Sequence, residues 1–300
     1  MKSPISILVL LLVLIGASAC KDEPVTPTPP SGGGGGTDGE SVNWDWYTID
    51  TIGAGMYALR ESRSSQGNTS YLLVGDDQAL MYDSGTGENI GQDGIKIKDI
   101  IEAHTSLPIT LLLSHFHFDH NQNVGEFDKI GMPDLPSLRS RVGTDSIFTF
   151  TNDELFEGTQ PREIKVSEWL PVDSVIDVGN RSIELISIPG HTDESVAVVD
   201  RTEKIALLGD FLYNGQLYVF DENDLPAYLN STDHLISELD SDYRIFGAHG
   251  QPEVDHAKLQ TLRNFIVCIQ NGACQGSSGS VFGYPVLNYS YQGMSMLIFQ

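Results

Sequence analysis

Apolar and polar positions change period several times along this chain, and each change predicts an element. Gly55 to Leu59, Ser70 to Val74 and Ala79 to Tyr82 are short apolar runs bounded by Gly, Asn and Asp turns, the pattern of consecutive strands. From Ile95 to His104 the period becomes helical, with Ile97, Ile100 and Ile101 on one face. Pro108 ends that helix, and Ile109 to Leu113 reads as a fully apolar strand. Further strands are expected at Ser182 to Ile188, Val196 to Val199, Lys204 to Leu208 and Tyr243 to Phe246, and helices over 233–240 and 255–268. A mixed series of this kind predicts two sheets covered by helices. Asn123 to Ser167 is rich in Pro, Gly and Asp and reads as a long irregular stretch, of the sort that often borders an active site.

The N-terminus has another character. Lys2 precedes an apolar run from Ile5 to Ile15, followed by Gly16-Ala17-Ser18-Ala19 and Cys20. A basic start, a short apolar stretch and small residues describe a secretory signal over residues 1–19, and the run is short for a membrane-spanning helix. Ala17-Ser18-Ala19-Cys20 resembles the lipobox of bacterial lipoproteins, which implies lipidation of Cys20; the alternative is ordinary cleavage with Cys20 left as a thiol. Lys21-Asp22-Glu23 resembles the surface-export signal of Bacteroidetes lipoproteins. Residues 20–42, with several prolines and five consecutive glycines, read as a tether that cannot build a core. The expected product is an outer-membrane or cell-surface lipoprotein, or alternatively a periplasmic or secreted protein, held to the membrane only by its lipid, with a single catalytic domain over residues 43–300.

The densest chemistry follows the strand that ends at Leu113, in Ser114-His115-Phe116-His117-Phe118-Asp119-His120. Side chains two apart on extended chain point the same way, so His115 and His117 can hold one zinc ion, while Asp119 and His120 can face a second. His191 follows Pro189-Gly190, Asp210 follows Leu208-Gly209, and His249 follows Gly247-Ala248, each just after an apolar strand. His104, His234 and His256 sit at helical positions and read as non-ligands.

These residues resemble the metallo-β-lactamase-fold hydrolases, whose signature is His-x-His-x-Asp-His followed by single His, Asp and His residues at later strand ends. The resemblance covers residues of about 50 to 250 and implies an αββα sandwich with a dinuclear zinc site at one edge. Position by position, it implies His115, His117 and His191 on one ion, Asp119, His120 and His249 on the other, and Asp210 on both. Asp83, in Tyr82-Asp83-Ser84-Gly85, matches an early Asp that braces the metal-binding loop. Two zinc ions of this kind make water reactive as a bound hydroxide near neutral pH, and Asp119 would orient it and shuttle its proton. Iron or manganese also suit a site built only from His and Asp.

Substrate follows less directly. The chain carries 41 Asp and Glu against 17 Lys and Arg, a net charge of −24, which disfavours nucleic acid and other polyanions and points to a small, neutral or weakly charged molecule. Tyr213, three residues after Asp210, resembles the Asp-x-x-Tyr arrangement of acyl-homoserine-lactone lactonases, where the phenol would stabilise developing negative charge as a catalytic group. The leading expectation is hydrolysis of a small carbonyl ester, with a lactone such as an N-acyl-homoserine lactone foremost. The alternative is a β-lactam, and a further alternative is a surface binding protein without catalysis. Cys268 and Cys274 flank an Asn271-Gly272 turn and can form a disulfide in an oxidising compartment, the other option being two free thiols.

Overall fold

The computed structural model of the chain describes residues 41–44, 46–88 and 96–300. The expected signal, Cys20 and the tether up to residue 40 lie outside the described residues. Among the described residues no helix is long and apolar enough to cross a membrane.

Two sheets dominate. The first has eight strands: Ser41–Trp44, Tyr47–Gly53, Met56–Arg60, Thr69–Val74 and Ala79–Tyr82 form an antiparallel meander, and Ile109–Leu112, Ile130–Pro133 and Glu168–Leu170 continue it in parallel. The second has six: Ser174–Asp177, Ser182–Ser187, Val196–Asp200, Ile205–Leu207, Arg244–Phe246 and Glu253–Val254. Strand periodicity sorts their side chains into layers. Along Thr69–Val74, Tyr71 and Leu73 enter the core between the sheets with Leu185 and Val198, whereas Leu72 turns outward. There it joins Ile97, Ile100 and Ile101 of helix Ile97–His104. On the far side, Tyr228 and Leu235 of helix Leu225–Glu238 and Leu262 and Phe265 of helix Ala257–Gln270 cover the second sheet. The result is one domain layered helix, sheet, sheet, helix.

Two regions depart from the sequence reading. Asn123 to Ser167 is ordered into pieces: strand Ile130–Pro133 joins the first sheet, helices Pro136–Arg139 and Asn152–Leu155 follow, and Ile147–Thr149 pairs with Glu163–Lys165. Elements of three or four residues are too short to impose a period on the sequence. Beyond the last expected helix, Ser277–Val281, Tyr284–Tyr291 and Met294–Phe299 form an antiparallel meander that pairs with Gln216–Val219. Both hairpins close through two residues at positive φ, Phe282-Gly283 and Gln292-Gly293, the turn geometry that matches strand twist. Cys268 and Cys274 are bonded at the end of the preceding helix, with their Cα atoms 5.2 Å apart.

Candidate metal centre

Strand direction brings the chemistry to one edge. Ser182–Ser187 and Ile205–Leu207 are both antiparallel to Val196–Asp200, and Arg244–Phe246 runs parallel to Ile205–Leu207. These strands therefore end at the same edge, where His191, Asp210 and His249 follow them. In the first sheet Ala79–Tyr82 and Ile109–Leu112 are parallel, so Asp83 and His115 leave together. Cross-links hold the two edges in register: Tyr82 Oη donates to Val196 O (2.6 Å), Tyr71 Oη to Gly247 O (2.6 Å) and Thr69 N to Ala248 O (2.8 Å).

Close approach needs glycine next to two of the predicted ligands. Gly209 has φ +52, and a Cβ there would lie 2.8 Å from Ser114 Cβ. Gly190 has φ +152, and a Cβ would strike Tyr228 at 2.6 Å. Either substitution would push the following ligand out of place.

Seven side chains converge in two groups, His115, His117 and His191, and Asp119, His120, Asp210 and His249, with the candidate ligand atoms of each group within 4.8 Å of one another. In the first, His117 Nδ1 lies 2.9 Å from His115 Nε2 and 3.0 Å from His191 Nε2. In the second, Asp210 Oδ1 is 3.0 Å from His249 Nε2 and 3.4 Å from His120 Nε2, and Asp119 Oδ2 is 3.4 Å from His249 Nε2. Asp210 Oδ2 turns the other way, 3.6 Å from His191 Nε2, so one carboxylate faces both groups.

The imidazoles are oriented from behind. His191 Nδ1 donates to Tyr218 O (3.0 Å) and His249 Nδ1 to Gln66 O (3.1 Å), while His120 Nδ1 bonds Asp83 Oδ2 (2.8 Å) and His115 Nδ1 bonds Ser114 Oγ (2.9 Å). A hydrogen placed on Nδ1 leaves the Nε2 lone pair facing inward, which is how protein metal sites set a ligand's tautomer. His117 is reversed, with Nδ1 inward. Asp83 is buried at φ 68 and its Oδ1 also accepts from Ser114 N at 2.6 Å.

Donor chemistry passes the test for cations. His120 Nε2 and Asp210 Oδ1 are buried and make no hydrogen bond despite their proximity, an arrangement that is costly unless another group satisfies them. Burial, and then the neighbouring imidazoles, hold His115 and His117 well below the usual histidine range, in the neutral form that ligation needs. Burial lowers His191 too. Burial also opposes charge on His120, but Asp119, Asp210 and Asp83 outweigh it and raise that imidazole. Asp210 is held far down by His249 and His120 against the effect of its own burial.

Tyr213 lines the pocket onto which Asp119, Asp210 and His249 open, its ring 5.0 Å from that of His249, but its hydroxyl donates to Gln216 O. His104 bonds Ile100 O, His256 bonds Leu239 O, and neither they nor His234 join the metal-capable groups. Apart from Asp83, the sequence reading passed over the bracing residues. Asn68 Nδ2 donates to Asp119 O (2.5 Å), Asn121 Nδ2 to Phe116 O (2.6 Å) and Asn123 Nδ2 to Ser84 O (2.7 Å). Glu194, pushed up to about 7 by burial, accepts from Phe116 N. Asn121 and Asn123, directly after the histidine motif, were the available signal.

Comparison with known proteins agrees with this geometry. An acyl-coenzyme A thioesterase of Homo sapiens, MBLAC2, is 23% identical over 65% of this chain and 77% of its own length. A hydroxyacylglutathione hydrolase, GloC, of Haemophilus influenzae is 26% identical over 62% of this chain and 86% of its own. Among solved structures, a metallo-beta-lactamase from Pontibacter korlensis superposes with a TM-score of 0.54 at 16% identity, covering 74% of this chain and 99% of its own. The Metallo-beta-lactamase superfamily profile matches residues 66–249, a span that holds all seven converging side chains and more than half of the chain. The chain belongs to the metallo-beta-lactamase superfamily and is a metallo-hydrolase.

Proposed function

We propose that this hydrolase opens a small carbonyl ester, with a lactone such as an N-acyl-homoserine lactone as the leading class. The observation that carries the ester reading is a 220 Å³ cavity into which Asp119, Asp210, His117, His191 and His249 all open, without a Ser or Cys nucleophile among its lining residues. Both named relatives are described as acting on acyl esters of sulfur, in which, as in an oxygen ester, an acyl carbonyl is attacked.

His115, His117 and His191 would hold one ion, Asp119, His120 and His249 the other, with Asp210 shared; zinc suits this donor set, as do iron and manganese. Bound there, two such ions would polarise a carbonyl oxygen and acidify water. Asp119 takes the proton of the attacking water as the new C–O bond forms, and returns it to the alkoxide released when the ester bond breaks. Tyr213 can assist only by exchanging its Gln216 acceptor for a substrate oxygen, and the lactone reading rests on that exchange. A thioester is the second reading, favoured by the relatives' descriptions. Export and anchoring through Cys20 complete the proposal.

The test is turnover of homoserine lactones of several chain lengths, a neutral thioester and a chromogenic cephalosporin, by wild type and Asp119→Asn. Lactone opening that falls by about a thousandfold in the variant is expected, general acid–base and orienting roles together being of that order. Unchanged turnover in Asp119→Asn refutes its role, and absence of lactone opening beside thioester turnover replaces the leading substrate.

A further inference from the structure

Phe156 has φ 53 and ψ −118, a conformation that a side chain beyond glycine occupies only under strain. Phe282, at φ 50, is also left-handed, and its ring is more than half exposed at a hairpin tip. Two unrelated segments thus each hold a phenylalanine in an unfavourable backbone state, and the two rings meet, with centroids 5.5 Å apart. Phe156 also touches Phe220 (5.0 Å) and Phe299 (5.9 Å), and Phe220 stacks on Phe299 at 4.9 Å. This aromatic wall stands directly on the metal centre: the Phe220 ring lies 4.8 Å from His117 and 5.4 Å from His191.

The wall divides two cavities. Phe156, Phe220, His117 and His191 line both the 220 Å³ cavity at the metal centre and a neighbouring one of 610 Å³, within the size range of small-molecule pockets. The second cavity carries Asp153, Glu154, Asp193, Glu194 and Asp224. Among the described residues the only Lys or Arg lining this second cavity is Arg141, which is paired with Glu154. An anionic group entering the second cavity would meet carboxylates and no free Lys or Arg.

The geometry points to an acyl-chain subsite: the uncharged hydrophobic arm of the substrate lies along Phe156, Phe220, Phe282 and Phe299, and the acidic cavity behind excludes anionic arms. This deepens the hydrolase reading above and rests on it for the position of the reacting carbonyl. Phe156 and Phe282 are then specificity-determining residues, and their strain is retained because it aims their rings at the chain.

The experiment compares kcat/KM for p-nitrophenyl esters of two and ten carbons, and for decanoyl-coenzyme A, on the metal-loaded full chain, wild type, Phe156→Gly, Phe220→Ala and Phe156→Tyr. Each methylene removed from water can add up to about fourfold, so a ten-carbon preference of at least about tenfold is expected in wild type. That ratio should drop by about tenfold in Phe156→Gly and Phe220→Ala, through KM, and return in Phe156→Tyr; decanoyl-coenzyme A should be at least about tenfold poorer than the neutral ester. A flat chain-length profile, an unchanged ratio in both variants, or preference for the coenzyme A ester overturns the subsite. Calorimetric binding of 1-octanol is measured alongside and needs no turnover. If no ester is hydrolysed, the ester reading fails, whereas octanol binding that weakens at least about fivefold in both variants still supports the subsite and equal binding refutes it.

Discussion

Asp83→Asn changes one oxygen into an amide and should cost the protein a cation. Asp83 is buried and accepts from two donors, Ser114 N at 2.6 Å and His120 Nδ1 at 2.8 Å. An asparagine offers one acceptor and one donating group, so whichever way it sits, one of those donors faces hydrogens. The Ser114 amide cannot give up its proton, but an imidazole can move its own. The amide oxygen should therefore turn to Ser114, and His120 should shift its proton to Nε2. That atom points at Asp210 Oδ1, 3.4 Å away, and at Asp119 Oδ2, 3.7 Å away, so its lone pair is no longer offered to an ion. Losing an outer partner of a ligating histidine typically costs 10–100-fold in metal affinity, or about 1.4–2.8 kcal/mol. Competition against a chelator of known affinity, followed by elemental analysis, should show the variant losing the ion of Asp119, His120 and His249 before that of His115, His117 and His191. Affinity within threefold of wild type, or loss of both ions together, would refute the reasoning.

Gly209→Ala should lower the thermal midpoint by about 2–10 °C, because a left-handed alanine would also press on Ser114 Cβ; an unchanged midpoint and metal content would contradict the packing. Glu194 is raised by burial from its ordinary 4.5 to about 7. A carboxyl raised in this way favours the fold most while it is protonated in both states, below about pH 4.5, and that contribution is lost as pH climbs through about 7. Thermal midpoints should fall between about pH 4.5 and 7, by an amount worth at most about 3 kcal/mol, and Glu194→Gln should flatten that slope; an equal slope in both proteins removes Glu194 as its source.

The metal-capable residues were legible because their spacing is local or tied to strand ends. His115 to His120 occupy six consecutive positions, and His191, Asp210 and His249 each follow an apolar run and a glycine. Their convergence follows from strand direction, which three pairings fix. The expected strands around 55–82 and 109–113 and the helix up to His104 also appear, within a residue or two of their bounds. The aromatic wall was not legible. Phe156, Phe220, Phe282 and Phe299 are scattered over 144 positions and meet only because the C-terminal meander pairs with Gln216–Val219. Each alone reads as ordinary core. The hydroxyl of Tyr213 shows the opposite failure: the Asp-x-x-Tyr spacing is present, but a local carbonyl, Gln216 O, has captured the donor.

The Cys268–Cys274 link closes a seven-residue loop between helix Ala257–Gln270 and the meander that carries Phe282, Tyr284 and Phe299. Thiol chemistry would therefore act on the rim of the binding space, while the histidines and carboxylates, all upstream, keep their own anchorage. A reducing environment would be expected to blur which molecules the protein accepts before it silences the protein altogether.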